Sequence, residues 1–157
     1  MSKAFGAVGG FVVGKSELID FLRVQTPTYI FSSALPPATS AGIIESIHQI
    51  QTTPSLRERL MKNAELLKTS LKDRQFNVLN SSTHIVPVVV GDDNKAKECS
   101  LELLRNGVYC PAMRWPAMPL GKSILRCIPN SAHSESQIKT AVDILTRVGK
   151  TFRLIPN

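Results

Sequence analysis

Ser2-Lys3-Ala4-Phe5-Gly6-Ala7-Val8-Gly9-Gly10-Phe11-Val12-Val13-Gly14 is the stretch on which the reading of this chain turns. One lysine opens a run of small residues and glycines, with no further charge before Lys15. A solvated surface lysine is the ordinary reading of such a residue. An apolar, glycine-rich setting is also where desolvation favours a neutral amine, and a neutral amine adds to an aldehyde to form a Schiff base. The same stretch overlaps a phosphate-loop formula, because Gly9 to Ser16 fits G-x-x-x-x-G-K-[ST]. That loop curls backbone N–H groups around phosphate. Its middle here is Phe11-Val12-Val13, bulky and β-branched, which favours a strand. A nucleotide-binding loop is therefore set aside. Ala4 to Gly14 is also too short for a bilayer helix of ~20 residues, and no small-x-small cleavage site follows it. Neither a membrane span nor a signal peptide is expected.

Outward from this stretch, the 157 residues amount to about one domain, and 43% hydrophobic with 20% charged residues is a globular composition. A net charge of +7 favours anionic partners without choosing among them. Cys99, Cys110 and Cys127 are odd in number and contain no CxxC pair. A disulfide framework and a zinc cluster are both disfavoured, and a reducing compartment fits.

Phe11-Val12-Val13 reads as a short buried strand, and Lys15 to Arg23 as a helix. Tyr29-Ile30-Phe31 is β-prone. Pro36-Pro37 starts a helix whose stripe is Ile43, Ile47 and Ile50. Thr53-Pro54 begins another, with Leu60, Ala64, Leu67 and Leu71 inward. His84 to Val90 is a strand that Pro87 marks as an edge or irregular. Gly91-Asp92-Asp93 turns into a helix over Lys95 to Arg105, which Asn106-Gly107 ends. Val108 to Trp115 is extended and Lys122 to Ile128 is a strand. Ser134 with Gln137 forms a capping-box pattern before a last helix carrying Ile138, Ala141, Leu145 and Val148. The expected order is β-α-β-α-α-β-α-β-β-α, an α/β or α+β chain. It divides into the end of a larger α/β unit and a layer of three strands covered by helices.

SKAFGAVGGFVVG (Ser2 to Gly14) resembles the lysine segment of the α-oxoamine synthases, which are pyridoxal-phosphate (PLP) enzymes of the aspartate aminotransferase fold type I. The resemblance continues in order through YIFSSALPP (Tyr29 to Pro37), HIVPVVVGD (His84 to Asp92), GVYCPAMRWPAMP (Gly107 to Pro119) and GKSILRCIPNSAH (Gly121 to His133). It implies residues 1–45 as the end of the PLP-binding large domain and 46–157 as an α+β small domain. It implies a cytoplasmic, homodimeric acyltransferase that condenses an amino acid with an acyl-CoA and releases carbon dioxide. Lys3 would hold PLP as a Schiff base and move protons at the substrate α-carbon. Ser33, with Ser32 as the alternative, would contact the cofactor phosphate across a dimer interface. Arg126 would grip the substrate carboxylate. The alternation of Ile124, Arg126 and Ile128 supports that role independently: a guanidinium between two isoleucines calls for an anionic partner. The ordinary reading is an internal ion pair or an edge arginine with its head in water.

His133 is read as structural, and Trp115 and the cysteines as packing. No metal site is expected. Ser-Ser-Ala-Leu-Pro-Pro and Ile-Val-Pro-Val-Val-Val-Gly-Asp look most like 8-amino-7-oxononanoate synthase, the biotin-biosynthesis member. The tail Ala141 to Ile155 looks more like 2-amino-3-ketobutyrate CoA ligase, and a serine palmitoyltransferase-like member is a further alternative. Several family features are missing: the threonine before the lysine, the groups that stack on and pair with the pyridine ring, and an arginine where Ile124 stands. Trp115 and Ala117 also depart from the family's Arg-Pro-Pro-Thr pattern. The chain is expected to be the C-terminal part of a longer enzyme, with little or no activity alone. The rival from another class is an inert fragment that only binds a partner chain. Arg57, Arg59, Lys62, Lys68, Lys72 and Arg74 are interleaved with acids and lack aromatics, so a solvated helix face is expected there rather than a nucleic-acid site.

Overall fold

The computed structural model describes residues 1–156. They fall into two compact units, Met1–Pro54 and Ser55–Asn157.

The first unit is helical. It contains α1 (Ser16–Gln25), α2 (Pro27–Ile30) and α3 (Pro37–Thr52). Pro27 and Pro37 open α2 and α3, where a fixed φ helps and the missing N–H has no intrahelical partner to lose. The expected strand at Phe11-Val12-Val13 does not form. These side chains are 62%, 63% and 80% exposed. A strand needs a neighbour for its backbone groups, and every strand among the described residues belongs to the second unit. Tyr29-Ile30-Phe31 is not extended either. Thr26 O accepts from the N–H groups of Tyr29 and Ile30, and Pro27 O from Phe31, so the proline-initiated turn overrides the β-propensity. Of the stripe on α3, Ile43 is buried while Ile47 and Ile50 stay exposed. α3 continues without a break through residues 45 and 46.

The second unit is a layered α+β body. After α4 (Pro54–Asp73) come β1 (Val86–Gly91), α5 (Asp93–Arg105), β2 (Ala112–Met113), β3 (Ser123–Cys127) and α6 (Glu135–Thr151). The strands form an antiparallel sheet in the order β1-β3-β2. Pro87 therefore sits on an edge strand, where its lack of an N–H is tolerated. The outer side of that edge is partly covered, because Leu79 N donates to Pro87 O and Val89 N to Asn77 O.

Strand alternation separates the faces of β3. Ser123, Leu125 and Cys127 are buried, while Ile124 and Arg126 are half-buried on the opposite face. Leu125, Val86 and Val88 meet Leu67 and Leu71 of α4, Cys99 and Leu103 of α5, and Ile138, Val142, Leu145 and Val148 of α6 in one core. Deep burial of such aliphatic side chains is worth about 1.5–3 kcal/mol each before entropy is counted.

The helix ends follow their caps. Asp92 accepts from Lys95 N at the start of α5. Gly107, at φ +85°, closes that helix where a residue with a Cβ would be strained. Ser134 and Gln137 complete the capping box of α6. Trp115 is 61% exposed, so the packing role expected for it is corrected. Its N–H faces Asp93 Oδ2 at 3.4 Å, and the other oxygen of Asp93 accepts from Ser123 Oγ. Backbone and sheet are held there, and the indole is left outside. The observed order is α-α-α-α-β-α-β-β-α; the two strands expected before residue 40 are the ones absent.

Candidate functional site

Lys3 begins a tight turn. Gly6 N donates to Lys3 O at 3.1 Å, and Gly6 takes the left-handed conformation this closure needs (φ +59°). The Met1 amino group donates to Gly9 O at 2.7 Å, and Ser46 Oγ of α3 donates to Phe5 O at 3.2 Å. Phe5 and Phe11 stack edge to face at 6.1 Å. The backbone of the lysine segment is thus anchored, while the Lys3 side chain stays exposed.

Ser33 lies on a cleft of about 850 Å³ within the same unit. Gly9 and Gly10 form one wall; Arg23, Tyr29, Ser32 and Leu35 form others. Gly9 is needed as glycine. Its φ is +102°, and a Cβ there would come within 3.1 Å of the Leu35 side chain. Ser32 Oγ turns back to Tyr29 O at 3.4 Å, which leaves Ser33 as the better placed of the two serines to meet a ligand. The structure therefore joins Ser33 to the glycine segment, while Lys3 is not part of this cleft's lining. Arg23 escaped the sequence reading. It lies in the last turn of α1 and lines the cleft, and among the described residues its ion pair is with exposed Asp20 at 3.4 Å, a contact that holds its charge only weakly.

Arg126 belongs to the second unit. Its backbone N–H donates to Pro111 O at 2.9 Å, and its partner across the sheet is Pro87. None of the five ion pairs among the described residues uses it. The internal ion pair weighed for it is not present there. His133 is structural: Asn130 N donates to its Nδ1 at 3.2 Å, and buried Asn63 Nδ2 donates to its carbonyl at 2.9 Å.

A second cavity, of about 690 Å³, lies between α6 and the segments 106–110 and 127–130. All three cysteines are buried free thiols. Burial pushes the Cys99 thiol up to about 11, although Lys95 nearby pulls the other way. Cys127 is raised further, first by its hydrogen bond with Cys110 and then by burial. Among the described residues no group of three His, Cys, Asp or Glu side chains is arranged to hold a metal, and no helix is long and apolar enough to cross a membrane.

Residues 1–145 match the aminotransferase class I and II family, and the chain belongs to that family. Its fold is a portion of the PLP-dependent fold type I. The narrower resemblance also stands, because the similar proteins are α-oxoamine synthases. An 8-amino-7-oxononanoate synthase of Alkaliphilus oremlandii is 39% identical over 99% of this chain and 39% of its own length. A solved structure described as SPT with PLP internal aldimine superposes with a TM-score of 0.91 at 34% identity, covering 98% of this chain and 39% of that one. A serine palmitoyltransferase of Sphingomonas wittichii gives a TM-score of 0.90 at 30% identity, over 99% of this chain and 39% of its own. The chain thus spans about two fifths of the length of the proteins it matches.

Proposed function

We propose that this chain is the C-terminal part of a PLP-dependent acyltransferase that condenses an amino acid with an acyl-CoA and releases carbon dioxide, in the manner of 8-amino-7-oxononanoate synthase. The observation that carries this reading is 39% identity to such a synthase along 99% of the chain. The donor set fits the cofactor. Lys3 offers a solvent-reachable amine on an anchored turn. Ser33, beside Gly9, Gly10 and Arg23, offers a hydroxyl and a nearby cation to a phosphate. Arg126 offers a guanidinium without an ion-pair partner among the described residues to a carboxylate. PLP, when bound, supplies an electron sink for the substrate α-carbon. Lys3 would hold it covalently and then carry a proton at that carbon. Ser33 would orient the phosphate across a dimer interface, and Arg126 would fix the carboxylate by two parallel hydrogen bonds.

Residues 1–45 are read as the end of the cofactor-binding domain and 46–157 as the small domain, in a cytoplasmic homodimer. The first unit leaves Phe11, Val13, Phe21 and Phe31 between 61% and 87% exposed. That much apolar surface suits a unit covered by more of the same protein or by a second copy, and it supports weak or absent activity in this chain by itself. A serine palmitoyltransferase-like member is the second reading, favoured by the TM-scores of 0.91 and 0.90.

Incubation with PLP tests the proposal. An absorbance band that borohydride traps, and that Lys3→Ala abolishes, is the expected result. No band, together with strong binding of a hydrophobic dye, would support the inert partner-binding rival.

A further inference from the structure

Cys110 and Cys127 face one another with their sulfurs 3.1 Å apart. Their backbones explain why. β2 and β3 pair Ala112 with Leu125, and two residues further along the same antiparallel register Cys110 falls opposite Cys127. Between them the Arg126 N–H donates to Pro111 O at 2.9 Å, so the hydrogen-bonded partners are 111 and 126. The cysteines therefore occupy the adjacent, non-hydrogen-bonded position, where facing Cα atoms lie about 4.5 Å apart. Disulfides span Cα separations of about 4.4–6.8 Å. Closing the bond needs only a small approach of the sulfurs, at the short end of that range. Both thiols are nearly inaccessible from outside, at 2% and 5% exposure, yet both lie on the wall of the 690 Å³ cavity beside α6. A small oxidant has a route to them. Cys99 is fully buried and lies off that wall.

We propose that Cys110 and Cys127 form a reversible oxidation site, a dithiol that a peroxide converts to a disulfide without rearrangement of the sheet. One sulfur attacks the O–O bond of hydrogen peroxide, which breaks to give a sulfenic acid and water. The second sulfur then displaces the sulfenic oxygen, which leaves as a second water carrying the remaining thiol proton. The two thiols together lose two electrons to the peroxide. The product ties segment 108–111 covalently to β3 next to Arg126. Thiol–disulfide exchange by a small reductant through the same cavity reverses the step. The site stands on the register and the cavity alone and does not depend on the cofactor reading.

Trypsin places each cysteine on its own peptide: Cys99 in 98–105, Cys110 in 106–114 and Cys127 in 127–139. The full chain is treated with hydrogen peroxide, alkylated with N-ethylmaleimide in denaturant, digested and weighed. The expected result is joint loss of alkylation at Cys110 and Cys127, a linked 106–114/127–139 species lighter by two hydrogens, and full recovery with dithiothreitol, while Cys99 remains alkylated. Links through Cys99, sulfinic acid at Cys110 or Cys127 without a link, or persistent alkylation of both under peroxide would each overturn the proposal. In Cys127→Ser the stalled sulfenic acid at Cys110 should be trapped by dimedone, which the parent protein resists. The peptide map of the parent protein decides the matter even where that variant does not fold.

Discussion

Arg126 of β3 lies directly opposite Pro87 of β1, and no acidic side chain among the described residues forms an ion pair with it. A half-buried cation without an internal partner contributes little to the fold. Arg126→Gln should therefore change the unfolding free energy by no more than about 0.5 kcal/mol in urea titration. A loss well above that would mean the guanidinium stabilises the fold and is not held in reserve for a ligand.

Asn63 does the opposite work. Its buried Nδ2 donates to the carbonyls of Asn130 and His133, each at 2.9 Å, and so ties α4 to the turn before α6. Asn63→Ala removes both bonds and leaves the carbonyls short of a partner. It should cost about 1–3 kcal/mol by the same titration. An unchanged midpoint would show that water replaces the amide at no cost.

Gly149 lies in α6, where alanine ordinarily stabilises a helix by roughly 0.5–1 kcal/mol. Here a Cβ would fall 2.6 Å from the Phe76 ring, which is itself only 5% exposed and cannot swing away. Gly149→Ala should therefore destabilise, by about 1–3 kcal/mol. Phe76→Leu should cost less in the Gly149→Ala background than in the parent, because it opens the space the new methyl needs. Additive costs would refute the clash.

The thiol of Cys99 ionises at about 11 in the folded chain, against 9.0 for an unburied one. Its folded-state value is raised, so its contribution to stability is complete below pH 9 and is lost as pH rises toward 11. Chemical denaturation across that window should show a decline that is shallower in Cys99→Ala. An identical alkaline slope in the two proteins would assign the decline to other groups.

Much of the second unit was legible in the sequence because its signals are local. The Ser134–Gln137 box, the Asp92 cap, the Gly107 stop and the alternation of β3 each depend on residues a few positions apart. The first unit misled where a local preference needed a distant partner. Phe11-Val12-Val13 has the composition of a strand and no strand in its unit to pair with. Tyr29-Ile30-Phe31 yielded to the turn that Pro27 begins. Trp115, expected to pack, has its backbone held by Asp93 and its ring in solvent. Within the first unit, Ser33 lies on the glycine-walled cleft, and its segment was legible in the sequence. Arg23 was not, because only the folded chain carries the end of α1 to the glycine wall.

On the proposed function, the amine of Lys3 is the group that bonds PLP. Borohydride reduction of the PLP-treated chain followed by peptide mapping tests it most directly. The reduced adduct is expected on Lys3 ahead of every other lysine, recovered in a peptide 1–15 that trypsin leaves uncut at position 3. An adduct spread evenly over the lysines of α4 and α5, with Lys3 no more modified than they are, would contradict it.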